Sequence, residues 1–481
     1  MGYIELLESY REDILKTLGE LIAFPSVSLD PVKSADGKLM RYGRAVQDAY
    51  EYMLNLGESN GFDTFDADGY AGHIQFNADE NIEQPETLAI VGHLDVVPEG
   101  TGWDTDPFKL EIKDGYLYGR GVTDDKGPLL ACFYVMKAMK EAGIKPKRNI
   151  RLIMGLDEET GVTGMEKYVE IAGQPDLGFT PDADFPLING EKGILTFDLA
   201  QKLTRQTTKE GLRLTKLEGG AVSNAVPATA KAVIAADEGL YQHIKDSLAQ
   251  YVIESGYDIS AKKQGSSLVI EAKGVAAHGA KPSTGLNAIS IVMDFLGRLQ
   301  FSNEELNDFI AFYNDHIGFD VAGERIGCQM RDEVSELTLN VGIASITEEL
   351  ASLTLNIRYP VTKTSDEVFA GIEKSLEGSK IGIVKDGDIK PLYIASDNPM
   401  VQTMMDVYRQ ETGDNDAEPL VIGGGTYAKA VNNTLAFGAM FPGEEDTMHQ
   451  KNERRSVENF FKMLDIYAKT IYVLSCGGCD E

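Results

Sequence analysis

The chain has 481 residues, of which 43% are hydrophobic and 25% are charged. Its length exceeds what one hydrophobic core supports, so we expect two to four domains, and its composition excludes disorder as the main state. Lysine and arginine number 45 against 76 aspartate and glutamate, for a net charge of −31. A surface this negative repels phosphate backbones, which makes nucleic acid a poor candidate partner.

Targeting patterns give no sign of export or membrane insertion. The first thirty residues contain Glu5, Glu8 and Asp13 and never reach an apolar core of signal-peptide length. No run of roughly 18 apolar residues predicts a membrane span. Four cysteines are too few and too scattered for a disulfide framework, and the terminal Cys476-Gly-Gly-Cys479 has no partner pair. We therefore expect a cytoplasmic protein with no membrane partner and no role for that terminal motif.

The first third of the chain predicts a helix followed by a strand–helix–strand unit. Apolar residues at Leu7, Ile14, Leu18 and Leu21 predict one amphipathic helix that ends before Pro25. Short apolar runs at 88–92 and 150–156 are typical of buried strands. The helix between them is predicted to start at Pro128 and to end at Gly143.

The middle of the chain has a different pattern, with alternating strands such as 267–272 and 353–358 and helical stretches such as 287–299. A strand–helix–strand pattern occurs around 210–300 and again around 335–385, which predicts an α+β domain of two similar halves. After Pro399 the helical patterns return. We therefore predict a catalytic domain formed by residues 1–191 and 389–481, with residues 192–388 inserted as a second domain.

The first chemical signal is His93, which follows a predicted buried strand and precedes Asp95 by two residues. Side chains at the carboxyl end of a parallel strand point into the crevice where α/β proteins bind ligands. A carboxylate near a metal-binding histidine orients its second nitrogen. The pair His93 and Asp95 is equally consistent with a purely structural contact when taken alone.

Two acidic pairs follow. Asp124 and Asp125 lie in a glycine-bracketed loop just before a helix, where a cation explains their proximity and N-capping is the alternative. Glu158 and Glu159 follow the second buried strand, where one carboxylate can bind metal while the other transfers a proton. An exposed acidic turn is the alternative for the second pair.

Further acidic and histidine residues complete five motifs that occur in order: GHLDVVPEG, GRGVTDDKGP, GLDEETG, PDADFP and MHQKNE. Together they resemble the metallopeptidase family of carnosinase, aminoacylase and glutamate carboxypeptidase, and its bacterial dipeptidases most closely. The resemblance covers nearly the whole chain, including the length of the insert. It implies an α/β, zinc-peptidase-like catalytic domain with a mixed, mainly parallel sheet and an inserted α+β lid.

The resemblance also implies a dinuclear metal site. One ion would be held by His93, Asp124 and Asp182 and the other by Asp124, Glu159 and His449, with Asp124 bridging. Mixed histidine and carboxylate ligands suit Zn²⁺, and Mn²⁺ or Co²⁺ less specifically. Two such ions lower the pKa of a shared water toward about 7, which supplies hydroxide at neutral pH.

Other roles follow from the same resemblance. Asp95 would orient His93, Glu158 would be the general acid/base, and the peptide bond between Asp124 and Asp125 would be cis. Spacing alone does not choose between Asp182 and Asp184, and only the resemblance favours Asp182.

The inserted domain contains candidate substrate-binding residues. His278, in GVAAHGAKP, is an ordinary loop histidine on its local pattern, and the resemblance makes it the donor to the oxyanion. Arg358 lies on the polar face of its predicted strand and suits a peptide carboxylate. Asn224 resembles the family's carboxylate-binding asparagine. The run that includes Gly424 and Thr426 offers a nest of backbone N–H groups, with a plain glycine turn as the alternative.

These observations predict a metallo-dipeptidase that hydrolyses short peptides, including Xaa-His or β-Ala-His substrates as in the relatives. An N-acyl amino acid deacylase or desuccinylase is the alternative, because the same metals hydrolyse either amide. A binding protein without activity is a third hypothesis. We predict a monomer, because an insert of two halves supplies His278 within the same chain, whereas smaller relatives borrow this histidine from a partner.

Overall fold

The computed structural model describes residues 2–34, 37–205, 210–237 and 239–477. The chain divides into two compact units. The first unit continues to Gly190 and resumes at Ile394, and the second comprises Glu191–Tyr393. The seams predicted from the sequence were after residues 191 and 388. The second observed seam falls later, after Tyr393, and a strand of the second unit already crosses the predicted seam to end at Ile389.

The first segment of the first unit alternates helices with strands. In chain order its elements are α1 (Tyr3–Ser9), α2 (Arg11–Ile22), β1 (Val32–Lys33), β2 (Leu39–Met40), α3 (Arg44–Ser59), β3 (Asp63–Asp66), β4 (Ala71–Phe76), β5 (Thr87–His93), β6 (Glu111–Lys113), β7 (Tyr116–Tyr118), α4 (Lys126–Glu141), β8 (Asn149–Gly155), α5 (Thr163–Ala172), β9 (Leu177–Thr180), β10 (Ala183–Asp184) and β11 (Ile188–Glu191).

The N-terminal helix predicted from residues 7–21 is interrupted. Tyr10 has φ −89° and ψ 0° and separates α1 from α2, so the prediction of one continuous helix was wrong. The Tyr10 ring lies 5.9 Å from that of Tyr134 in α4. Leu7 and Ile14, on either side of the break, are both buried in the same core. The break therefore keeps the predicted apolar residues on the core side.

The second unit has longer strands. Its elements are β12 (Gly193–Lys202), β13 (Arg213–Gly219), β14 (Ala225–Val226), β15 (Thr229–Ala235), α6 (Leu240–Ser255), β16 (Asp258–Gln264), β17 (Ser267–Lys273), β18 (Ala277–His278), α7 (Ala288–Leu296), α8 (Glu304–His316), β19 (Thr338–Thr347), β20 (Leu350–Tyr359), α9 (Ser365–Ser375), β21 (Gly382–Ile389) and β22 (Leu392–Tyr393), with a 3₁₀ turn at Pro282–Thr284.

Eight of these strands form one sheet in the order β16-β17-β15-β13-β19-β20-β12-β21. Its two halves of four strands meet where β13 pairs antiparallel with β19. In each half a helix connects two strands along the chain, α6 between β15 and β16 and α9 between β20 and β21. The predicted α+β insert of two similar halves is therefore confirmed.

The final segment returns to the first unit. It contains α10 (Pro399–Thr412), β23 (Leu420–Ile422), β24 (Thr434–Ala436), β25 (Ala439–Met440), β26 (Arg454–Ser456) and α11 (Val457–Cys476), with a 3₁₀ turn at Tyr427–Lys429. The predicted apolar stripe of α11 includes Phe460, Leu464 and Tyr467, which are all buried in the core of this unit. The terminal cysteine motif is described only as far as Gly477, so Cys479 lies outside the described residues.

The sheet of the first unit runs in the order β11-β24-β9-β5-β8-β4-β3. The pairs β24–β9, β9–β5 and β5–β8 are parallel, whereas β4 pairs antiparallel with both β8 and β3. The predicted mixed α/β sheet is confirmed, with its parallel pairs at the centre. Helices α4 and α11 contribute to the core of this unit. Within the described ranges, every helix is too short or too polar to cross a bilayer.

Candidate metal centre

Three neighbouring parallel strands bring the acidic motifs to one edge of the sheet. Strand β5 ends at His93, β8 ends at Gly155 just before the acidic turn, and β9 ends at Thr180 just before Asp182. Since β5 pairs in parallel with both β8 and β9, all three strands end on the same side. Sequence motifs separated by some ninety residues therefore converge, although only His93 and the pair Glu158 and Glu159 were predicted to follow strands.

Asp124 lies between two histidines. One carboxylate oxygen, Oδ1, is 2.9 Å from Nε2 of His93, and the other, Oδ2, is 2.8 Å from Nε2 of His449. His93 is fully buried, whereas the His449 side chain is about half exposed. Each oxygen of this one carboxylate thus has its own histidine, which is the arrangement that a bridging ligand requires.

Two further carboxylates lie on opposite sides of this trio. Asp182 Oδ2 is 3.7 Å from His93 Nε2, and Glu159 Oε2 is 3.1 Å from His449 Nε2. Asp184 is exposed in β10, so of the two aspartates that spacing left open, Asp182 is the one beside His93. The described ion pairs of Asp124, Asp182 and Glu159 are all made with histidine.

The potential ligand atoms are close enough to share ions. Those of His93, Asp124 and Glu159 lie within 4.8 Å of one another, and so do those of His93, Glu158 and Asp182. Imidazole nitrogens and carboxylate oxygens form a donor set that suits Zn²⁺ and related divalent ions. The residues present therefore fit a divalent metal centre, with Glu158 at ligand distance as well.

Asp95 connects the first histidine to the acidic turn. Its side chain is fully buried, and its two oxygens accept hydrogen bonds from the backbone N–H groups of Glu158 (3.2 Å) and Glu159 (3.1 Å). Nδ1 of His93 lies 2.9 Å from the backbone carbonyl oxygen of Asp95 and 3.4 Å from its carboxylate. The same residue therefore contacts the ring of His93 and the backbone of both glutamates.

The peptide bond between Asp124 and Asp125 is cis, as the resemblance implied. Asp125 is fully buried and its Oδ2 accepts a hydrogen bond from the backbone N–H of His93 at 3.2 Å. A Cβ atom at Gly92 would lie 2.3 Å from that same oxygen, so the strand end needs glycine there. This contact joins the Asp124 loop to the end of β5.

The pKa values of the cluster are shifted because several acidic side chains lie close together and are buried. Burial, and then the charge of Asp124, raises the pKa of Asp182 to about 7. Burial and the charge of Asp182 hold the pKa of Glu158 well above its ordinary value. Hydrogen bonds to Asp124 and Glu159 raise the pKa of His449 to about 11. Protons thus compensate the negative charge here, and divalent cations would compensate it in their place.

His93 responds to two opposing influences. Burial lowers its pKa, but hydrogen bonds to Asp124 and Asp95 raise it more, so its pKa lies well above the ordinary value. The same two carboxylates would stabilise a cation bound at Nε2 of this ring. The two carboxylates therefore favour a positive charge at this ring, unlike the surroundings of a neutral core histidine.

The second unit collects three of the predicted substrate-binding residues. Strand β18 pairs with β14 so that His278 lies opposite Ala225, next to Asn224. The backbone N–H of Gly279 donates to the carbonyl oxygen of Asn224 at 2.6 Å. Partial burial lowers the pKa of His278, and the charge of Arg358 lowers it further. The positive charge of Arg358 therefore acts on the His278 ring.

Arg358 is more buried than its predicted place on a polar face suggests. Its side chain is only 4% exposed, and its Nε donates to Oδ1 of Asn356 at 3.0 Å. Leu355 and Ile357 alternate with it and lie in the core of the second unit, as the pattern predicted. The sheet thus holds this guanidinium in a defined position.

The glycine run near residue 424 has a local structural role. Thr426 is buried and its hydroxyl accepts a hydrogen bond from the N–H of Ala428, which caps the 3₁₀ turn. Gly424 does not adopt a positive φ, and a Cβ there would meet only Ile422 at 3.6 Å. These contacts agree with the alternative that a glycine turn leads into Tyr427–Lys429.

Comparison with known proteins shows to which family the chain belongs. The model of "Peptidase family M20/M25/M40" matches residues 89–473, which include all five motifs. The chain belongs to this peptidase family. A protein of Staphylococcus epidermidis named "Putative dipeptidase" is 34% identical over 476 residues, covering 98% of each chain. "Putative dipeptidase YtjP" of Bacillus subtilis is 34% identical over 467 residues, covering 97% of this chain and 98% of its own.

Solved structures share the fold of this M20 peptidase at low sequence identity. Human carnosine dipeptidase 1 superposes with a TM-score of 0.53 at 17% identity, covering 97% of both chains. The di-peptidase Dug1p from Saccharomyces cerevisiae gives a TM-score of 0.54 at 17% identity, covering 98% of this chain and 97% of its own. At this identity the likeness concerns the fold alone.

Sequence reasoning did not identify two buried residues that support the M20 motifs. The Tyr427 hydroxyl donates to Asp157 Oδ1 at 2.7 Å, and its ring lies edge-on to that of His93 at 6.4 Å. Lys126 is fully buried and its Nζ donates to the carbonyl oxygens of Leu21 and Phe24. Their spacing carries no metal or catalytic pattern, although Lys126 lies within the motif GRGVTDDKGP and Tyr427 directly follows the glycine run at 423–426.

Proposed function

We propose that this M20 peptidase is a dinuclear metal-dependent dipeptidase. The observation that carries the proposal is the position of Asp124, whose two oxygens each lie within 3 Å of a different histidine. A carboxylate so placed would help to hold two divalent ions. Glu159 and Asp182 complete the two sides of the bridge.

In the proposed ligand set, His93, Asp124 and Asp182 hold one ion, and Asp124, Glu159 and His449 hold the other. Zn²⁺ is the proposed metal because the donors mix imidazole and carboxylate, and Mn²⁺ or Co²⁺ fit the same donors. When bound, such ions polarise a carbonyl group and lower the pKa of water, which is the chemistry that amide hydrolysis needs.

Glu158 is the proposed proton carrier. It lies in the same turn as Glu159, with its backbone held by Asp95, and its pKa is raised by burial and by Asp182. A general base must reach the attacking water without being consumed as a ligand, and must then give the proton to the leaving amine. A carboxylate oxygen of Glu158 lies within 4.8 Å of potential ligand atoms of His93 and Asp182, which supports a position beside the proposed metal site.

The second unit is proposed to bind the substrate. Arg358 would pair with the terminal carboxylate of a peptide, because a guanidinium binds a carboxylate through two parallel hydrogen bonds. Asn224 would bind the same group, and His278 would donate to the oxyanion. In the first unit, the turn of Gly424 and Thr426 is also proposed to contact this carboxylate through its backbone. Fixing both peptide ends would limit the length of the substrate.

The names of relatives support a dipeptide as substrate. Curated relatives that cover nearly the whole chain are named "Putative dipeptidase". One solved structure that shares the fold, with a TM-score of 0.53, is described as the aminoacylhistidine dipeptidase of Vibrio alginolyticus. We therefore propose that Xaa-His or β-Ala-His peptides are among the substrates.

A side-by-side assay tests this proposal. The Zn²⁺-loaded protein is given Ala-His, β-Ala-His, N-acetyl amino acids and N-succinyl amino acids, and kcat/KM is measured for each. We expect the dipeptides to be hydrolysed with the higher kcat/KM. Preference for the acylated amino acids would replace the proposal with a deacylase or desuccinylase, and no turnover of any amide would favour a binding protein.

A further inference from the structure

Glu453 is a fully buried carboxylate outside the proposed ligand set. Its Oε2 accepts hydrogen bonds from Arg120 Nη1 at 2.8 Å and from the backbone N–H of Gly121 at 3.0 Å. Its Oε1 accepts from the N–H groups of Thr123 at 2.9 Å and Asp124 at 3.3 Å. Three backbone amides of one loop therefore converge on a single side chain, in the manner of an anion-binding nest.

The loop that Glu453 holds is the one that carries Asp124. Gly121 has φ +91°, a conformation that L side chains rarely adopt, and it turns the amides of this loop toward the carboxylate. Without the carboxylate, buried N–H groups would be left unpaired, which costs far more than the net worth of the bonds. The backbone position of Asp124 therefore depends on Glu453.

The same residue belongs to the loop that carries His449. Only four positions separate Glu453 from that histidine, and the strand that follows it, β26, pairs antiparallel with β7. The N–H of Gly119 donates to the backbone carbonyl oxygen of Glu453 at 3.1 Å. The two loops thus run side by side, with Glu453 joining them through both its backbone and its side chain.

We propose that Glu453 is a positioning residue that sets the separation of Asp124 and His449. The inference rests on the proposed dinuclear centre and adds a residue through which both metal positions are held. Because Asp124 would contribute to both ions, displacement of its loop weakens both sites. Loss of His449 instead removes a ligand from one site only.

The competing explanation is that Glu453 only neutralises Arg120. That arginine is buried, with its guanidinium 5.3 Å from the Trp103 ring and its Nε without a hydrogen-bond partner among the described residues. An unpaired buried charge destabilises a protein strongly, so any change at Glu453 lowers stability for this reason alone. A test must therefore separate the ion pair from the amide contacts.

Arg120→Met and Glu453→Gln form a matched pair for this purpose. Both substitutions break the same buried ion pair. Arg120→Met leaves the Glu453 carboxylate in place to accept hydrogen bonds from the three backbone N–H groups. Glu453→Gln replaces one carboxylate oxygen by an NH₂ group, which cannot accept a hydrogen bond from a backbone N–H. The double variant Arg120→Met/Glu453→Gln removes both charges together and stands in where Glu453→Gln alone does not fold. His449→Ala is the comparator for loss of one ligand.

Zn²⁺ stoichiometry and affinity are measured by competition with a chelating dye, with the melting temperature recorded with and without Zn²⁺. We expect Glu453→Gln and the double variant to bind both ions on the order of 10- to 100-fold more weakly. Arg120→Met should melt lower than the parent yet keep the parent affinity, and His449→Ala should keep one ion.

Parent affinity for both ions in Glu453→Gln, or its recovery in the double variant, would overturn the inference. A parent protein that binds fewer than two ions would instead contradict the proposed dinuclear centre itself. The two failures are therefore distinguishable in one set of titrations.

Discussion

At the scale of single residues, the centre depends on carboxylates that do different work from neighbouring positions. The Asp95 carboxylate accepts hydrogen bonds from the backbone N–H groups of Glu158 and Glu159, and it also contacts the ring of His93. These contacts leave the side chains of both glutamates free to face the cluster, where their neighbours are other acids and histidines. Under the proposed function, Glu159 would bind a metal and Glu158 would carry the proton, although both are glutamates of the same turn.

Replacement of Glu158 by Gln tests that division. The amide keeps the size of the side chain but cannot accept a proton, so we expect kcat to fall by ~10²–10⁴-fold while both metals remain bound. Steady-state kinetics and metal analysis of the same sample measure the two effects. Glu166→Gln, an exposed glutamate in the first turn of α5, is the matched control and should keep parent activity. A kcat within tenfold of the parent would place the general base elsewhere.

At the scale of elements, the sequence predicts what short-range patterns determine. Strands β5 and β8 appear as apolar runs of about strand length, and α4 as a run of apolar residues at helical spacing. The acids and His93 at the ends of these strands were therefore found before the fold was known. The break at Tyr10 was not predicted, because the apolar spacing of α1 and α2 continues across it.

Contacts between distant loops are beyond such patterns. The bonds of Glu453 to the Asp124 loop span some 330 positions and depend on the pairing of β26 with β7. The bond between Tyr427 and Asp157 spans 270 positions in the same way. A short strand of three residues such as β26 has no recognisable periodicity, so its partner emerges only from the folded chain. The supporting residues of the centre are for this reason the ones that sequence reasoning missed.

The turns that carry the proposed ligands also predict how metal binding responds to pH. In the metal-free protein the pKa of His449 is raised to about 11 and that of Asp182 to about 7. Each group must be deprotonated to bind a metal. His449 therefore has a proton to lose throughout the neutral range, and Asp182 has one to lose below about pH 7. We therefore predict that Zn²⁺ binding releases protons and that affinity rises with pH, more steeply below pH 7 than above it.

Calorimetric titration with Zn²⁺ in buffers of different ionisation enthalpy counts these protons at each pH. Because His449 holds its proton in the folded, metal-free protein up to about pH 11, release should continue at pH 8. Affinity that stays constant between pH 6 and pH 8 would contradict the assignment of these two residues as ligands. His449→Ala should release fewer protons at pH 8 than the parent.

At the scale of the whole molecule, the proposed metal ligands and three of the proposed substrate-binding residues lie in different units. Every proposed metal ligand lies in the unit that ends at Gly190 and resumes at Ile394, whereas Asn224, His278 and Arg358 lie in the other. Each unit has its own core, so a change in one is expected to leave the internal structure of the other intact. The two kinds of residue are therefore separable by mutation.

Arg358→Lys tests this separation. Lysine keeps the charge but cannot form two parallel hydrogen bonds to a carboxylate, so we expect KM for dipeptides to rise about 10- to 100-fold. Zn²⁺ stoichiometry and affinity should stay at parent values, because the substitution lies in the second unit. Arg331→Lys, at an exposed arginine of the same unit, is the control for both measurements. Loss of Zn²⁺ in Arg358→Lys would show that the units are not independent.

The structure of the second unit is the basis for a prediction of the oligomeric state. Its eight-stranded sheet joins two halves through β13 and β19 within one chain, so a second copy is not needed to bring two such halves together. We predict a single species of 52.5 kDa in sedimentation equilibrium. The measurement must be made at low and at high salt, since a net charge of −31 opposes association at low ionic strength. A monomer at both salt concentrations supports the prediction, whereas a stable dimer when the charge is screened contradicts it.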